Sequence, residues 1–161
     1  MERPPIIKVQ NLSKRFCKRK VLKSIGLDIY EGEIFGLIGA SGTGKTTLLK
    51  TLVGYLAPDE GDVKFRYDYF VKKKNKDGGP LYASVFKQPR LSRNLFGFAS
   101  QEPSFYPKLT VTENLKYFGS LYNMKNKALN SNIEILLSLM DLKNAEKRLA
   151  GELSGGMERR L

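Results

Sequence analysis

One run of eight residues constrains this chain more than any other. Gly39-Ala40-Ser41-Gly42-Thr43-Gly44-Lys45-Thr46 reads G-x-x-x-x-G-K-T without a mismatch. The continuous apolar run Ile34-Phe35-Gly36-Leu37-Ile38 precedes it, the pattern of a strand buried on both faces. Thr46 to Tyr55, which follows, has helical character. Between a strand and a helix, such glycines let successive backbone N–H groups turn inward around an anion. The helix that starts near Gly44 aims its positive end at the same point. Gly39, Ser41, Gly42, Thr43 and Gly44 form the expected cradle. Lys45 brings a point charge to the β- and γ-phosphates, and Thr47 is close enough to add a contact. The Thr46 hydroxyl is a hard oxygen ligand suited to Mg²⁺. The pattern implies a nucleoside triphosphate with Mg²⁺, without naming the base or what its hydrolysis drives. The plain alternative is a glycine-rich connection that happens to fit.

Composition removes other chemistries. The 161 residues include one Cys and no His, so neither a Cys/His zinc site nor a His-dependent nucleophile can be built. A single Cys makes no internal disulfide. Hydrophobic residues at 41 % suffice for a core. No apolar stretch approaches the length that spans a bilayer, and Met1–Pro5 has no apolar signal region, so a cytoplasmic protein is expected. The net charge of +12 fits nucleic acid, an anionic membrane face, anionic small ligands or a solvated Lys-rich surface.

Along the chain, Ile6–Leu12 and Val21–Tyr30 read as strands, with a basic loop, Ser13–Lys20, between them. A turn at Pro58–Gly61 leads to a strand over 62–70. Residues 71–94, with Lys72-Lys73-Lys74-Asn75-Lys76, read as an exposed, turn-rich loop, and Leu95–Ala99 as a short strand. Thr112 is the expected N-cap of a helix to about Tyr122, and Ser131–Met140 is a second amphipathic helix. The run Ile135–Asp141 ends in an Asp after apolar residues, but their helical spacing makes Asp141 a helix-end residue.

Near the end stands Leu153-Ser154-Gly155-Gly156-Met157-Glu158-Arg159-Arg160. Alone it reads as a turn with Ser154 capping a helix. With the phosphate loop before it and a Gln-containing loop, Phe98-Ala99-Ser100-Gln101-Glu102, between, the order resembles the nucleotide-binding domain of ABC transporters over essentially the whole chain. The resemblance implies an α/β fold: a P-loop NTPase core with N-terminal strands, then an appended helical subdomain. The strand-rich core would cover 1–110 and the helical part 111–161, a single partial domain truncated before the Walker B strand. It implies ATP and Mg²⁺ as cofactors.

The resemblance also assigns roles. Phe16 would stack on adenine, the plainer alternative being a hydrophobic anchor. Lys45 and Gln101 would serve hydrolysis, Gln101 approaching Mg²⁺ and the attacking water while its loop touches a membrane permease. Ser154, Gly155 and Gly156 would face the γ-phosphate held by a second nucleotide-binding domain across a head-to-tail dimer. The location would be the inner face of the cell membrane, peripherally, with no nucleic acid expected. Met157 departs from the family's Gln, and with Arg159-Arg160 resembles ATPases of drug, polysaccharide and nodulation-factor exporters. The family's later Asp, catalytic Glu and His are absent from these 161 residues, so the chain is expected to bind ATP without turnover. A soluble ABC-type ATPase acting on ribosomes or nucleic acid remains an alternative, as does a non-catalytic binding module. A P-loop kinase or GTPase fits less well, given the signature.

Overall fold

The computed structural model describes residues 3–68 and 79–161. They form two compact units, one up to Phe98 and one from Ala99 to Leu161. The basic cluster Lys72–Lys76 lies outside the described residues.

The first unit is built on an antiparallel sheet. Strands β1 (Ile7–Phe16), β2 (Arg19–Ile29), β3 (Glu60–Arg66) and β4 (Tyr82–Ser84) lie in the order β2-β1-β3-β4. The stretch expected as a basic loop is instead the end of the β1–β2 hairpin, turning at Cys17-Lys18, with Phe16 opposite Arg19. β1 and β3 pair from Ile7↔Phe65 to Gln10↔Asp62, and a register shift separates these from Ser13↔Glu60. Gly61 sits at that irregularity with φ +82°, and a Cβ there would lie 2.3 Å from Gln10 O. Val9, Leu12, Val63 and Phe65 bury one face of the sheet. Helix α1 (Lys45–Leu52) adds Leu48 and Leu52 to that core.

α1 stops for a local reason. Gly54 has φ +80°, its N–H donates to Thr51 O at 3.1 Å, and the Tyr55 N–H reaches Lys50 O at 2.9 Å. This double closure by a left-handed residue satisfies two orphan carbonyls.

Three expectations fail here. Ile34–Ile38 forms no strand, and Ile34 and Ile38 are fully exposed. An extended segment becomes a strand only by pairing its backbone, and none of the four described strands runs beside it. Only Leu37 of this run packs against the core. The loop expected over 71–94 contains β4 and a helix, α2 (Pro89–Leu95), whose Leu91 and Leu95 face the core four residues apart. Its buried Ser92 hydroxyl donates to Val85 O at 3.2 Å. The strand expected over 95–99 does not form. Phe96 is extended but unladdered, holding its place through an edge-on contact with Phe65, centroids 6.1 Å apart.

The second unit is helical. α3 (Val111–Leu121) packs on α4 (Asn126–Leu139). Two 3₁₀ turns (Lys143–Ala145 and Ala150–Glu152) follow, then the short α5 (Gly155–Glu158). The N-cap of α3 is Thr110, not Thr112. Its side chain accepts from the Glu113 N–H at 3.2 Å, while the Thr110 N–H donates to Glu113 Oε2 at 2.8 Å. A reciprocal box of this kind contributes about 1 kcal/mol. Glu113 is thereby held below the usual carboxylate range, first by the backbone N–H of Thr110 and then by its hydroxyl.

α4 ends as expected at Asp141, whose φ is +52°. The Asp141 N–H donates to Ser138 O and the Leu142 N–H to Leu137 O at 2.8 Å, with Leu137 and Leu142 both buried. The two compact units divide between Phe98 and Ala99. Residues 106–110 are tied to the helices by Asn114 and by the Ala150 N–H, which donates to Leu109 O at 2.9 Å.

Candidate functional site

The glycine-rich run forms the connection into α1. Gly42 and Gly44 have φ of +75° and +99°, conformations that other residues adopt only with strain. Gly44 is the N-cap of α1, and a Cβ on it would lie 2.9 Å from Val21 Cγ1. Two demands, backbone sign and close approach, therefore fall on this one glycine. No side chain caps α1, so its first N–H groups remain for another acceptor.

Lys45 curls back over the loop. Its Nζ donates to Gly39 O and to Ala40 O, both at 2.7 Å. The Thr43 hydroxyl also donates to Ala40 O, at 2.9 Å. The ammonium thus sits at the mouth of the loop, held by two neutral acceptors that an anion would outcompete. Thr46 is exposed, and Thr47 is half-buried, with its carbonyl accepting from Thr51 Oγ1 at 2.8 Å. The donor set fits a triphosphate: backbone N–H groups, the Lys45 ammonium and the exposed Thr46 hydroxyl. Among the described residues no cluster of three or more acidic or Cys side chains could hold a metal alone. A Mg²⁺ here would take Thr46 and phosphate oxygens.

Phe16 ends β1 half exposed, with Lys14 Nζ 5.9 Å from its ring centroid. It belongs to the same unit as the phosphate loop. The adjoining Cys17 has φ +51° at the hairpin turn. Lys14 is also paired with Asp59 at 2.9 Å. That pairing and the Arg15 N–H hold the Asp59 carboxyl below its ordinary range.

The other expected residues lie in the second unit. Gln101, Glu102 and Pro103 line a cavity of about 330 Å³ together with Gly155, Glu158 and Arg159. The Gln loop and the signature are therefore neighbours. Ser100 shapes that loop, donating to Glu102 O at 2.5 Å and sharing a hydrogen bond with Ser104 at 2.8 Å. Ser154 is the N-cap of α5, and its hydroxyl makes no capping bond. Gly155 and Gly156 are open, with nothing within 4 Å of an added Cβ. Arg160 anchors the far end of α5, donating to Met140 O at 3.2 Å and Asp141 Oδ2 at 3.1 Å.

Two features escaped sequence reading. Asn114 is 1 % exposed and clasps the Tyr106 backbone, Oδ1 accepting its N–H at 2.8 Å and Nδ2 donating to its carbonyl at 3.0 Å. The Tyr106 ring then meets Tyr117 and Phe118, centroids 4.9 and 6.1 Å away, in a half-exposed aromatic cluster. The Tyr117 hydroxyl pushes the Tyr106 phenol above its ordinary value. The T-x-x-E capping signature at Thr110–Glu113 was the available signal, since it places Asn114 at the fourth position of a helix.

Comparison with known proteins follows the same lines. Residues 22–161 match the ABC transporter family. The chain is 35 % identical over 155 residues to Nod factor export ATP-binding protein I of Burkholderia lata, covering 96 % of this chain and 46 % of that protein. It is 32 % identical to the Fe(3+) ions import ATP-binding protein FbpC of Haemophilus influenzae, covering 98 % of this chain and 41 % of that one. The chain thus spans under half the length of these relatives. Its fold matches that of cbiO1 from Clostridium perfringens, part of the ABC transporter complex cbiONQ, with a TM-score of 0.76 at 21 % identity over 98 % of this chain and 59 % of that one. With the phosphate loop, Gln loop and signature in order, and the family match running from Leu22 to Leu161, this chain belongs to the ABC transporter ATP-binding family.

Proposed function

We propose that this chain is the ATP-binding part of an ABC-type exporter, coupling nucleotide binding and hydrolysis to movement of a substrate through a membrane permease. The observation that carries the reading is the Lys45 ammonium, poised on two carbonyls at the mouth of a loop that opens onto the uncapped start of α1. Lys45 would hold the β- and γ-phosphates of a bound nucleotide in place of those carbonyls, and Thr46 would offer its hydroxyl to Mg²⁺. Mg²⁺ supplies charge neutralisation across the phosphates. Phe16 offers a ring face to the adenine.

Gln101 and Ser154–Gly156 serve the second half of the cycle. Gln101 would orient a water near a bound metal, and the open Gly155–Gly156 backbone would let a partner domain's γ-phosphate approach closely. The cavity shared by Gln101 and Gly155 supports a common role. The Tyr106–Tyr117–Phe118 cluster is a surface suited to a permease, because half-exposed aromatics mark partner faces. Among the described residues no helix is long and apolar enough to cross a membrane, which fits a peripheral subunit on the cytoplasmic face. Export is favoured over import by Met157 and the Arg159-Arg160 pair in the signature.

Titration of the chain with fluorescent mant-ATP and Mg²⁺ tests the central claim. Saturable binding that weakens at least tenfold in Lys45→Ala is expected. Equal binding by both proteins, or none by either, would overturn it. Recovery of a membrane permease with the tagged protein tests the partner.

A further inference from the structure

The β1–β2 hairpin carries charge that the nucleotide site does not use. From Lys14 to Leu27 the sequence has six cations, Lys14, Arg15, Lys18, Arg19, Lys20 and Lys23, and no acid. Two are neutralised from the neighbouring turn and β3: Lys14 lies 2.9 Å from Asp59, and Lys20 lies 3.8 Å from Glu60. Arg15 gives its backbone N–H to Asp59 at 2.6 Å, and its guanidinium makes no ion pair within 4 Å among the described residues. Arg15, Lys18, Arg19 and Lys23 are all exposed, and none has a side-chain ion pair among the described residues.

This edge lies against the phosphate loop. Val21 is the residue that a Cβ on Gly44 would strike, 2.9 Å from its Cγ1 and 3.3 Å from its carbonyl oxygen. Arg19 and Lys23 lie two residues to either side of Val21 along β2, where bulges interrupt its pairing with β1. Lys18 sits at the turn, and Arg15 is opposite Lys20.

We propose that Arg15, Lys18, Arg19 and Lys23 form an electrostatic collector for the phosphate loop, raising the rate at which an anionic nucleotide arrives without binding it. The idea rests on the ATP-binding reading above. Exposed, unpaired cations hold no fixed geometry, so their share in a bound complex is small. Their summed field still reaches an approaching anion over about 8–10 Å at physiological salt, and such fields raise association rates. Lys45 fixes the nucleotide; the hairpin edge fills the space around it with attraction.

Stopped-flow binding of mant-ATP with Mg²⁺ to the full chain separates rate from affinity. The variant carries Arg15→Gln, Lys18→Gln, Arg19→Gln and Lys23→Gln. A control carries Lys116→Gln, Lys125→Gln, Lys127→Gln and Lys147→Gln, losing equal charge from the second unit. At about 20 mM salt the hairpin variant should associate about 3- to 10-fold more slowly, with the difference fading at about 500 mM and the dissociation rate unchanged within about twofold. The control should match the unsubstituted chain. Should the fourfold variant fold poorly by circular dichroism, Lys18→Gln/Arg19→Gln at the turn should give a smaller loss of the same kind.

An unchanged association rate at low salt, a change confined to dissociation, or an equal effect in the control would each overturn the proposal. So would loss of binding to a short DNA duplex with nucleotide association intact, which would give the edge to nucleic acid. If the unsubstituted chain shows no saturable mant-ATP signal, the ATP reading falls and this one with it. Normal binding with salt-independent association sinks this one alone.

Discussion

Replacing Asn114 by Ala should loosen the start of the helical unit by an amount the hydrogen bonds allow to be worked out. The buried carboxamide accepts from the Tyr106 N–H at 2.8 Å and donates to Tyr106 O and Thr110 O at 3.0 Å and to Leu109 O at 3.3 Å. The three carbonyls each keep a second donor: Leu109 N–H, Asn114 N–H and Ala150 N–H reach Tyr106 O, Thr110 O and Leu109 O respectively. Only the Tyr106 N–H loses its sole partner. An orphaned donor costs about 1–3 kcal/mol, and the lost donors and small void add about 1 kcal/mol more. The expected total is about 2–4 kcal/mol, or about 30- to 1000-fold in the opening equilibrium.

Asn114→Asp should be worse than Ala at neutral pH, because a carboxylate would face three carbonyls that the amide now serves. Such a buried acid has its folded pKa raised, so the deficit should shrink as the pH falls and a proton restores one donor. Hydrogen exchange read by mass spectrometry on the intact chain measures both. Peptides over 106–122 should lose protection, while those from β1 and β3 should not change. A shift of less than about threefold in Asn114→Ala, or an Asp variant better protected than Ala at pH 7, would refute the assignment.

Other outcomes follow from single contacts. Gly61→Ala should cost the first unit about 3 kcal/mol or more in urea unfolding, since φ is +82° and the new Cβ would meet Gln10 O at 2.3 Å and Asn11 O at 2.4 Å. Leu137→Ala should destabilise the second unit by about 2–5 kcal/mol, whereas Leu139→Ser, two residues on and largely exposed, should stay within about 0.5 kcal/mol. Glu113, its pKa lowered by Thr110, supports the start of α3 fully above the ordinary carboxylate range and loses that support as the pH falls through its folded value. Circular dichroism across pH 7 to 3 should show that acid loss of helix, and Glu113→Gln should flatten its part of it.

What could be read from residues alone follows a physical division. Gly42 and Gly44 were legible because the loop needs backbone conformations that side chains resist, and the two positive φ values bear this out. α4 was legible in part: Ile133 and Leu137 are buried as their spacing implies, but Leu136 and Met140 are exposed and the helix begins at Asn126, five residues before the expected Ser131. Ile34–Ile38 was misread because an apolar run reports only that burial is wanted, whereas a strand requires a neighbouring backbone. Local pattern carries no information about that neighbour. α2 was hidden for the opposite reason. Its seven residues are too few for a helix to hold by propensity alone, and packing of Leu91 and Leu95 against the sheet core decides the outcome. The hairpin cations sit between these cases. Their sign was plain in the sequence, but their bearing on the phosphate loop depends on the packing of Gly44 against Val21, twenty-three positions apart in the chain and close enough that a Cβ on Gly44 would lie 2.9 Å from Val21 Cγ1. A local charge count gives a surface its character; a non-local contact tells that surface which site it serves.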